Sequence, residues 1–536
     1  MDEDQMLLPT LIDEIAQAEP ERLYCAFLRT TDINDGVVKV SYSAFSNAVN
    51  RLSWFLEKTF GRSDDFTTLG YIGPSDIRYA IITLAAVKTG HKAFLMSQVN
   101  PVPAQLRLLE DTKCDHLLVA RDFPVFSPVL DAIASHRQVN IVDIESVDHW
   151  IAKDRVEKYC FTATLSSNPR RPFVVLHTSG STGFPGHIVY HFGALTAYRH
   201  WTAPRDLIPN APKTIQEIWQ NNCIYMTLPA AHMIGLLHMT VAAVYWNMPP
   251  ILGPPNVFPT PDMACSIISL DFCQAAAMPP VLLQGMARSE KHLDALRRLD
   301  HVSWIGGAFS SSTIADKIRS YVTLIGGYGS TESGGLPLDF IDQSDYEWMS
   351  FSPIVGARFD PYAEDLYEFV IEKDDRILPA QFVFLNWPEL SEWHTRDLFS
   401  KHPTKEGLWK FQGRADDMFS MLNGAKYNPL AMETIVAAHP QVMTALLVGE
   451  ARERTIWLLE VYNPPQNDQE KRKLVDEIWP TVEEANGIAQ LPSRVTSKNA
   501  VVFSQKGKPF PRAGKGSVQR KLAIRAYQEE IDACIV

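Results

Sequence analysis

The sequence predicts an α/β protein in which a large N-terminal region of βαβ-type sheets covered by helices precedes a small α+β C-terminal region. Two observations predict this class. Helical and strand-like patterns alternate along most of the chain, which is typical of parallel sheets with crossover helices. The alternation gives way to strand-like runs around a glycine turn at residues 408–428. We therefore expect a boundary at residues 413–417, with one domain at residues 1–415 and a second at residues 416–536.

The N-terminal elements follow from the spacing of apolar residues. Residues 45–59 have the spacing of an amphipathic helix, and residues 66–73 are predicted to form a strand. Residues 76–90 are the helix behind that strand. The runs at 92–97 and 116–120 are short and almost wholly apolar, as expected of parallel strands covered on both faces.

The C-terminal elements are fewer. Residues 408–412 form a strand that ends in Gly-Arg-Ala-Asp-Asp, and a helix is predicted at 430–439. Strands follow at 445–449 and 455–462, and the charged segment 469–486 has helical spacing. This mixture, without a regular βαβ order, predicts a small α+β unit.

Composition excludes several function classes. The 536 residues carry a formal net charge of -12, which argues against a general binder of nucleic acid or of anionic membranes. The seven cysteines include no C-x-x-C pair, so neither a disulfide framework nor a cysteine-based zinc site is expected. The N-terminus lacks the basic region of a signal peptide, and no apolar run is long enough to span a bilayer. We expect a cytoplasmic protein without a nucleic-acid or membrane partner.

The stretch "FVVLHTSGSTGFPGHIVY", residues 173–190, places a loop of Ser, Thr and Gly between two strand-like runs. Successive backbone N–H groups in such a loop bind anions, and the hydroxyl groups add donors. It is not a Walker loop, because Gly-Lys-Ser/Thr is absent and a strand follows. The alternative for this stretch taken alone is a flexible surface turn.

Six further stretches follow this loop in a fixed order. They are "PAAHMIGLL", "WIGGAFSS", "GGYGSTESGG", "WHTRDLF", "GRADD" and "PRAGKGSVQRK". Together with "HTSGSTGFP" they resemble the motifs of the adenylate-forming superfamily, which includes acyl-CoA synthetases, luciferases and adenylation domains of peptide synthetases. The sequences of several motifs most resemble those of fungal synthetase-like proteins. These proteins carry an adenylation domain before a carrier and a reductase or thioesterase.

The resemblance implies an activity. A carboxylic acid would attack the α-phosphate of ATP with Mg²⁺ present, giving an acyl-adenylate and pyrophosphate. The acyl group would then pass to the phosphopantetheine thiol of a carrier domain, in the same chain or another. The alternatives are a free-standing acyl-CoA ligase and a nucleotide-binding pseudoenzyme.

The resemblance also assigns roles to residues of this chain. The phosphates of ATP would be held by Ser179, Gly180, Ser181, Thr182 and Gly183. The adenine and ribose would contact Gly307, Ala308, Tyr328, Gly329, Thr331, Asp397 and Arg414. The Mg²⁺ ligands would be Glu332 and Thr182. His232 would line the acyl site, or else be a core histidine whose hydrogen bonds are satisfied within the protein. Asp416 would be the hinge about which a small, mobile C-terminal domain turns. For Asp397 and Arg414, a purely structural ion pair is the alternative.

Two positions depart from the family pattern. The phosphate loop reads Pro185-Gly186-His187 where a lysine normally follows the proline. Near the C-terminus, a common form of the motif would place Ser517 where the catalytic lysine stands. Lys515, two residues earlier, is our candidate for the catalytic lysine. Lys521 and Lys508 are the alternatives.

The acid is expected to lack an α-amino group. Relatives that activate amino acids place an aspartate early in the region of "PAAHMIGLL", where this chain has Ala230, Ala231 and Met233. A buried ammonium without such a partner would be costly. We therefore expect an aryl, polyketide-derived or other apolar acid.

Overall fold

The computed structural model describes residues 5–98, 100, 102–120, 122–123, 126–178, 185–306, 309, 312–363, 365–420, 426–450, 452–489, 493–512 and 518–534. The strands are β1 (Leu23–Leu28), β2 (Val37–Ser41), β3 (Thr68–Ile72), β4 (Lys92–Leu95), β5 (His116–Ala120), β6 (Asn140–Ile144), β7 (Pro172–His177), β8 (His187–His191), β9 (Ile224–Met226), β10 (Pro250–Leu252), β11 (Ala275–Met278), β12 (His301–Trp304), β13 (Thr323–Gly326), β14 (Gly329–Ser330), β15 (Gly334–Gly335), β16 (Ala357–Ala363), β17 (Leu366–Glu372), β18 (Glu392–Lys401), β19 (Trp409–Arg414), β20 (Phe419–Ser420), β21 (Lys426–Tyr427), β22 (Val442–Val448), β23 (Ile456–Val461) and β24 (Val501–Phe503).

The α-helices are α1 (Leu8–Ala18), α2 (Tyr42–Phe60), α3 (Arg78–Lys88), α4 (Val102–Asp111), α5 (Ser127–His136), α6 (Val147–Trp150), α7 (Phe192–Leu195), α8 (Ala197–His200), α9 (Ile215–Trp219), α10 (Met233–Leu237), α11 (Ala243–Tyr245), α12 (Pro261–Ile268), α13 (Pro280–Met286), α14 (Glu290–Leu296), α15 (Ser312–Arg319), α16 (Phe382–Asn386), α17 (Leu430–Ala437), α18 (Asp468–Ile488), α19 (Arg520–Ala526) and α20 (Gln528–Ala533). A π-helical turn, His238–Ala242, joins α10 to α11. None of the helices in the described residues combines the length and apolarity that crossing a bilayer requires.

Two mainly parallel sheets form the large region, as the alternating pattern predicts. One has the strand order β13-β12-β11-β9-β10-β1-β2, and the other β6-β5-β3-β4-β7-β8. The edge strands β2 and β8 run antiparallel to their neighbours. Helices cover both sheets, and a continuous apolar core runs from the N-terminal helix to β18.

Helix α2 shows how local sequence sets the boundaries. It begins three residues before the predicted position because the Ser41 hydroxyl caps it by accepting a hydrogen bond from Ala44 N at 3.3 Å. It ends at Gly61, whose φ of 79° lies in the region that glycine adopts readily. The helix α3 that packs on it is buried along its whole length.

A third sheet, β16-β17-β18-β19, is antiparallel and was not predicted by the βαβ pattern. Its strands are partly exposed and carry charged residues, so they lack the apolar runs of the two parallel sheets. Aromatic stacking holds it together, with the rings of Phe359 and Trp409 only 3.7 Å apart. This sheet places the ends of β18 and β19 next to each other.

The C-terminal region is built on the sheet β22-β23-β24, in agreement with the predicted α+β class. Strand β23 is buried on both faces. Trp457 and Leu459 pack on the side of α17 and α18, whereas Ile456 and Leu458 pack on the side of α19 and α20. This alternation follows from the two-residue repeat of a strand.

Candidate active site

A cleft of about 1520 Å³ is lined by residues of the large region, of β19 and of α17. Two groups of lining residues differ in chemistry. We call the first the polar end, formed by Tyr328, Thr331, Glu332, Asp397 and Arg414. We call the second the aromatic end, formed by Tyr198, Trp201, Gln216, Trp219, His238 and Trp246.

Gly327 connects the two ends, since it precedes Tyr328 and also lies next to Trp219. A Cβ atom at this position would lie 3.2 Å from Ile305 Cγ1 and 3.9 Å from Trp219 Cη2. The absence of a side chain at Gly327 therefore keeps space open between the polar and aromatic ends.

A bulge in β18 orients the Asp397 side chain toward the polar end. The pairing with β17 passes from Leu398 directly to His394, so extra residues bulge out of the ladder. Within the bulge Arg396 has a φ of 63°, a conformation that non-glycine residues rarely adopt. The Thr395 hydroxyl stabilises it by donating to Phe369 O at 2.7 Å and accepting from Asp397 N at 3.1 Å.

The Asp397 carboxylate is held from two sides. The Tyr328 hydroxyl donates to its Oδ2 at 2.5 Å, and Arg414 Nη1 lies 3.1 Å from its Oδ1. Asp397 and Arg414 face each other across β18 and β19, which fixes the ion pair. Burial, followed by the charge of Asp397, raises the pKa of Tyr328 well above its usual value, so its hydroxyl remains a donor.

The Tyr328 ring is set by aromatic neighbours. Phe351, Phe369 and Phe399 contact it edge to face, with centroid distances of 5.5 to 5.8 Å. Such contacts hold a flat ring in one orientation against the cleft. The predicted stacking of Tyr328 on adenine stays a prediction.

A tight hairpin, β14 and β15, presents Glu332 at the cleft. Gly329 is required there, because a Cβ would lie 2.3 Å from the carbonyl oxygen of Gly334. The hydroxyls of Ser330 and Ser333 accept hydrogen bonds from each other's backbone N–H at 3.1 and 3.2 Å, which closes the turn. Thr331 is buried, and its carbonyl accepts from the Tyr190 hydroxyl at 2.6 Å.

The described residues contain no group of three or more His, Cys, Asp or Glu side chains that could hold a metal by themselves. Mg²⁺ is usually bound by one or two carboxylates together with substrate phosphates. Glu332 is a half-buried carboxylate on the cleft wall, so its position and chemistry fit that mode. Thr182, the other predicted ligand, lies outside the described residues.

The predicted phosphate loop, Ser179, Gly180, Ser181, Thr182 and Gly183, also lies outside them. Its frame is described, with β7 and β8 paired as far as His177 and His187. Thr178 N donates to Gly186 O at 2.9 Å, and Gly186 N donates to the Thr178 hydroxyl at 3.1 Å. A Cβ at Gly186 would meet nothing within 4 Å, so lack of space does not explain the missing lysine.

Gly307 and Ala308 lie outside the described residues, whereas the neighbouring Gly306 lines the cleft with a φ of 95°. His232 also lines the cleft. Its Nδ1 accepts a hydrogen bond from Ile234 N at 3.4 Å, so it caps α10. The cap gives His232 a structural function beside the predicted acyl-site role.

The aromatic end was missed by the motif analysis. Its indole rings lie close together, with centroids 6.1 Å apart for Trp219 and Trp246 and 6.4 Å apart for Trp201 and Trp246. These residues come from separate short helices and belong to no motif. The available signal was the density of Trp and Tyr between residues 198 and 246.

His238 is a further missed residue. It is 2% exposed and begins the π-helical turn, a local widening of the helix that is common at functional sites. Its Nδ1 lies 2.7 Å from Ile234 O, and since a carbonyl only accepts, Nδ1 carries the proton. Burial lowers the pKa of His238 to about 4, so the ring is neutral near pH 7.

Lys515 and Ser517 lie outside the described residues, but the segments on both sides are fixed. Arg512 and Val518 form a β-bridge, and Gln519 N donates to Pro511 O at 2.8 Å. Two buried carboxylates hold the neighbouring arginines, because Arg512 pairs with Glu460 and Arg520 pairs with Glu433. Of the alternative lysines, Lys508 is ion-paired with Glu530 at 2.8 Å, and Lys521 is exposed.

Comparison with protein families gives two matches. The profile described as "AMP-binding enzyme" matches residues 12–354, and the profile described as "AMP-binding enzyme C-terminal domain" matches residues 416–535.

Individual proteins are also similar. A carboxylic acid reductase of Neurospora crassa is 31% identical over 98% of this chain and 50% of its own length. An adenylate-forming reductase of Serpula lacrymans is 30% identical over 98% of this chain and 49% of its own length. The chain thus spans about half the length of these relatives. The solved structure of an O-succinylbenzoate coenzyme A synthetase from Bacillus subtilis, in complex with ATP and magnesium ion, has a TM-score of 0.69 at 16% identity. The matched region covers 96% of this chain and 98% of the synthetase chain, which shows that the two proteins share a fold.

Proposed function

The chain belongs to the AMP-binding enzyme family of adenylate-forming enzymes, and from that premise we propose that it activates a carboxylic acid with ATP. An oxygen of the acid attacks the α-phosphorus, a new P–O bond forms, and the bond to the pyrophosphate oxygen breaks. The products are an acyl-adenylate and pyrophosphate. The observation that carries this proposal is one cleft in which Arg414 and Tyr328 both bind the Asp397 carboxylate beside a group of aromatic side chains.

The polar end supplies the nucleotide contacts. A carboxylate has about four acceptor positions, so Asp397 can hold Arg414 and Tyr328 and still accept hydrogen bonds from ribose hydroxyls. The ion pair and the ribose role are therefore compatible. Tyr328 would offer its ring face to adenine, and Gly329, Thr331, Gly307 and Ala308 would contact the nucleotide.

Glu332 and Thr182 would hold Mg²⁺, which when bound neutralises phosphate charge and orients the leaving pyrophosphate. The loop from Ser179 to Gly183 would donate backbone N–H groups to the β- and γ-phosphates. Lys515 would place its ammonium group between the acid and the α-phosphate, where negative charge accumulates. The buried pairs of Arg512 and Arg520 support this assignment, because they anchor the segment on both sides of Lys515.

The acid is proposed to lack an α-amino group. Among the described residues that form the aromatic end, no side chain is a carboxylate that could pair with an ammonium. A buried and unpaired ammonium is strongly unfavourable. His232 would border the acyl group from the start of α10.

The acceptor is proposed to be the phosphopantetheine thiol of a carrier domain. The thiol loses its proton and its sulphur attacks the acyl carbon. A C–S bond forms, the bond between the acyl carbon and the phosphate oxygen breaks, and AMP leaves with that oxygen. The match to about half of two reductases supports a carrier in a longer assembly. A free-standing acyl-CoA ligase is the second candidate, supported by the fold shared with a coenzyme A synthetase.

The C-terminal region is proposed to begin at residue 416 and to turn about Asp416 between the two steps. Its carboxylate is 46% exposed and lies 3.7 Å from Arg414 Nη2, an arrangement that leaves the residue little constrained. A profile match that begins at residue 416 supports this boundary.

The test measures pyrophosphate release with ATP, Mg²⁺ and a panel of aryl, aliphatic and amino acids. We expect release with an acid that lacks an α-amino group, and a loss of roughly 10²- to 10³-fold in Lys515→Ala. Lys521→Ala and Lys508→Ala are the matched controls and keep activity within about threefold of the wild type. Loss in Lys521→Ala instead would move the catalytic role to Lys521.

Two further readouts separate the alternatives. ATP binding without pyrophosphate release for any acid would favour a pseudoenzyme. With the accepted acid, equal rates of thioester formation on free CoA and on a phosphopantetheinylated carrier would favour the acyl-CoA ligase.

A further inference from the structure

The aromatic end contains buried polar atoms that no described residue satisfies. His238 Nε2, Trp219 Nε1 and Gln216 Oε1 each have no hydrogen-bond partner among the described residues. Buried polar groups in proteins are normally paired, so unpaired ones along a cleft indicate that a ligand supplies the partners. All three side chains line the cleft, as do Tyr198 and Trp304, whose hydroxyl and indole N–H are also without a hydrogen-bond partner among the described residues.

The hydrogen-bonding type of each atom is fixed by its neighbours. The proton of His238 is on Nδ1, bound to Ile234 O at 2.7 Å, so Nε2 is an acceptor. The Gln216 amide nitrogen donates to Leu336 O at 3.1 Å, which leaves its Oε1 as a second acceptor. The Trp219 indole N–H can only donate. The ring centroids of Trp219 and His238 are 6.2 Å apart.

This combination selects a functional group. An ether or a ketone has no proton to give to the two acceptors, and an aromatic amine is a poor acceptor for the indole N–H. A hydroxyl group both donates and accepts. The surrounding indole rings favour a flat, apolar body for the same ligand.

We infer that the aromatic end binds an aryl carboxylic acid whose ring carries a hydroxyl group. His238 is the residue that recognises this hydroxyl by a hydrogen bond. The inference rests on the proposed acid-activating function and narrows its substrate class. His238 Nε2 accepts the hydroxyl proton, and the Trp219 indole donates to the hydroxyl oxygen. Gln216 Oε1 provides an acceptor for a second hydroxyl on the ring.

The experiment compares kcat/KM for pyrophosphate release with benzoate, the monohydroxy- and dihydroxybenzoates and the aminobenzoates. We expect at least one hydroxybenzoate to exceed benzoate by roughly 10²-fold, because a site built to bind a hydroxyl group discriminates against the analogue without it. His238→Phe should reduce that ratio about tenfold or more while KM for ATP stays the same. His238→Gln, which can still accept through its side-chain oxygen, should restore part of the ratio.

The matched control is His301→Phe. His301 is also a buried neutral histidine with an unpaired ring, but it lies in β12 and does not line the cleft. It should leave the ratio unchanged. Gln216→Leu is a second test variant in case His238→Phe fails to fold, and it should lower the preference for dihydroxybenzoates.

The outcomes separate the inference from the proposed function. If aryl acids react equally well with and without a hydroxyl, or if aminobenzoates are preferred, the inference is wrong and the proposed function stands. If only aliphatic acids react, the inference is also wrong. If no acid of either panel releases pyrophosphate although ATP binds, both are wrong.

Discussion

The two ends of the cleft differ in whether their polar atoms have hydrogen-bond partners within the chain. At the polar end, Arg414 and Tyr328 of the chain itself bind the Asp397 carboxylate. At the aromatic end, His238 and Trp219 keep polar atoms without described partners. The side chains of the polar end therefore orient one another. At the aromatic end, a bound ligand is needed to complete the hydrogen bonds. Nucleotide binding should therefore be sensitive to charge, and acid binding to shape and hydroxyl pattern.

The largest effect is expected at the polar end from Asp397→Asn. The change keeps the side-chain shape but leaves Arg414 without its carboxylate, and breaking such a charge pair is costly. We expect KM for ATP to rise roughly 10²-fold while the preference among acids stays the same. Steady-state kinetics with ATP and acid varied separately measure both.

Asp360→Asn is the control for this prediction. Asp360 belongs to the same antiparallel sheet and pairs with Arg358 at 2.9 Å, but it does not line the cleft. It should change KM for ATP less than about twofold, since exposed ion pairs contribute little. An equal rise of the acid KM in Asp397→Asn would show that the two ends do not act separately.

A medium effect is expected at the aromatic end from Trp219→Phe. The change removes contact area and the unpaired indole N–H, so kcat/KM for the acid should fall about tenfold, a loss typical of trimming an apolar pocket wall. KM for ATP should not change. The measurement is kinetics together with thermal unfolding.

Trp246→Phe provides the matched comparison. Its indole N–H donates to Tyr198 O at 2.8 Å, so the variant leaves a buried acceptor unpaired. It should lose about 1 to 2 kcal/mol of unfolding free energy, more than Trp219→Phe loses. Equal losses of stability in both variants would contradict the distinction between paired and unpaired indoles.

The smallest effect is a gain from Gly186→Lys. The position has open space around it and lines the cleft beside the phosphate loop, so a lysine can reach an anion there. We expect KM for ATP to fall about three- to fivefold, with the gain shrinking at high salt as for any exposed charge. Gly186→Met adds length without charge and should leave KM unchanged. A similar gain with Met would mean that charge is not the cause.

Sequence patterns predicted the elements in which apolar residues have a regular spacing or form a short continuous run. The strand at 116–120 has the predicted bounds, and α18 differs from its prediction by one residue at the start and two at the end. The antiparallel sheet was missed because β16, β18 and β19 are partly exposed and β18 contains a bulge, although the strand predicted at 408–412 corresponds to β19. The left-handed Arg396 inside that bulge carries no local sequence signal.

Motifs predicted that several polar residues share a site, but not their contacts. Tyr328 and Arg414 were predicted to share it with Asp397, and both lie within hydrogen-bonding distance of the Asp397 carboxylate. The donation from Tyr328 to Asp397 was not predictable, because it joins residues from a hairpin and a distant strand. His238 and Trp219 were missed because an unpaired atom is a property of the packed structure, not of any segment.

The strand order of the seven-stranded sheet also limits how early in synthesis this sheet can form. Strand β1 pairs with its own hairpin partner β2 on one side, but its other edge pairs with β10, where Ala26 faces Ile251. Translation at about 5–20 residues per second delivers β10 roughly 10 to 45 s after β1. During that interval the apolar edge of β1 has no strand to pair with, and open edges of this kind promote aggregation. Yield of soluble protein should therefore depend on how the nascent chain is protected over its first 250 residues.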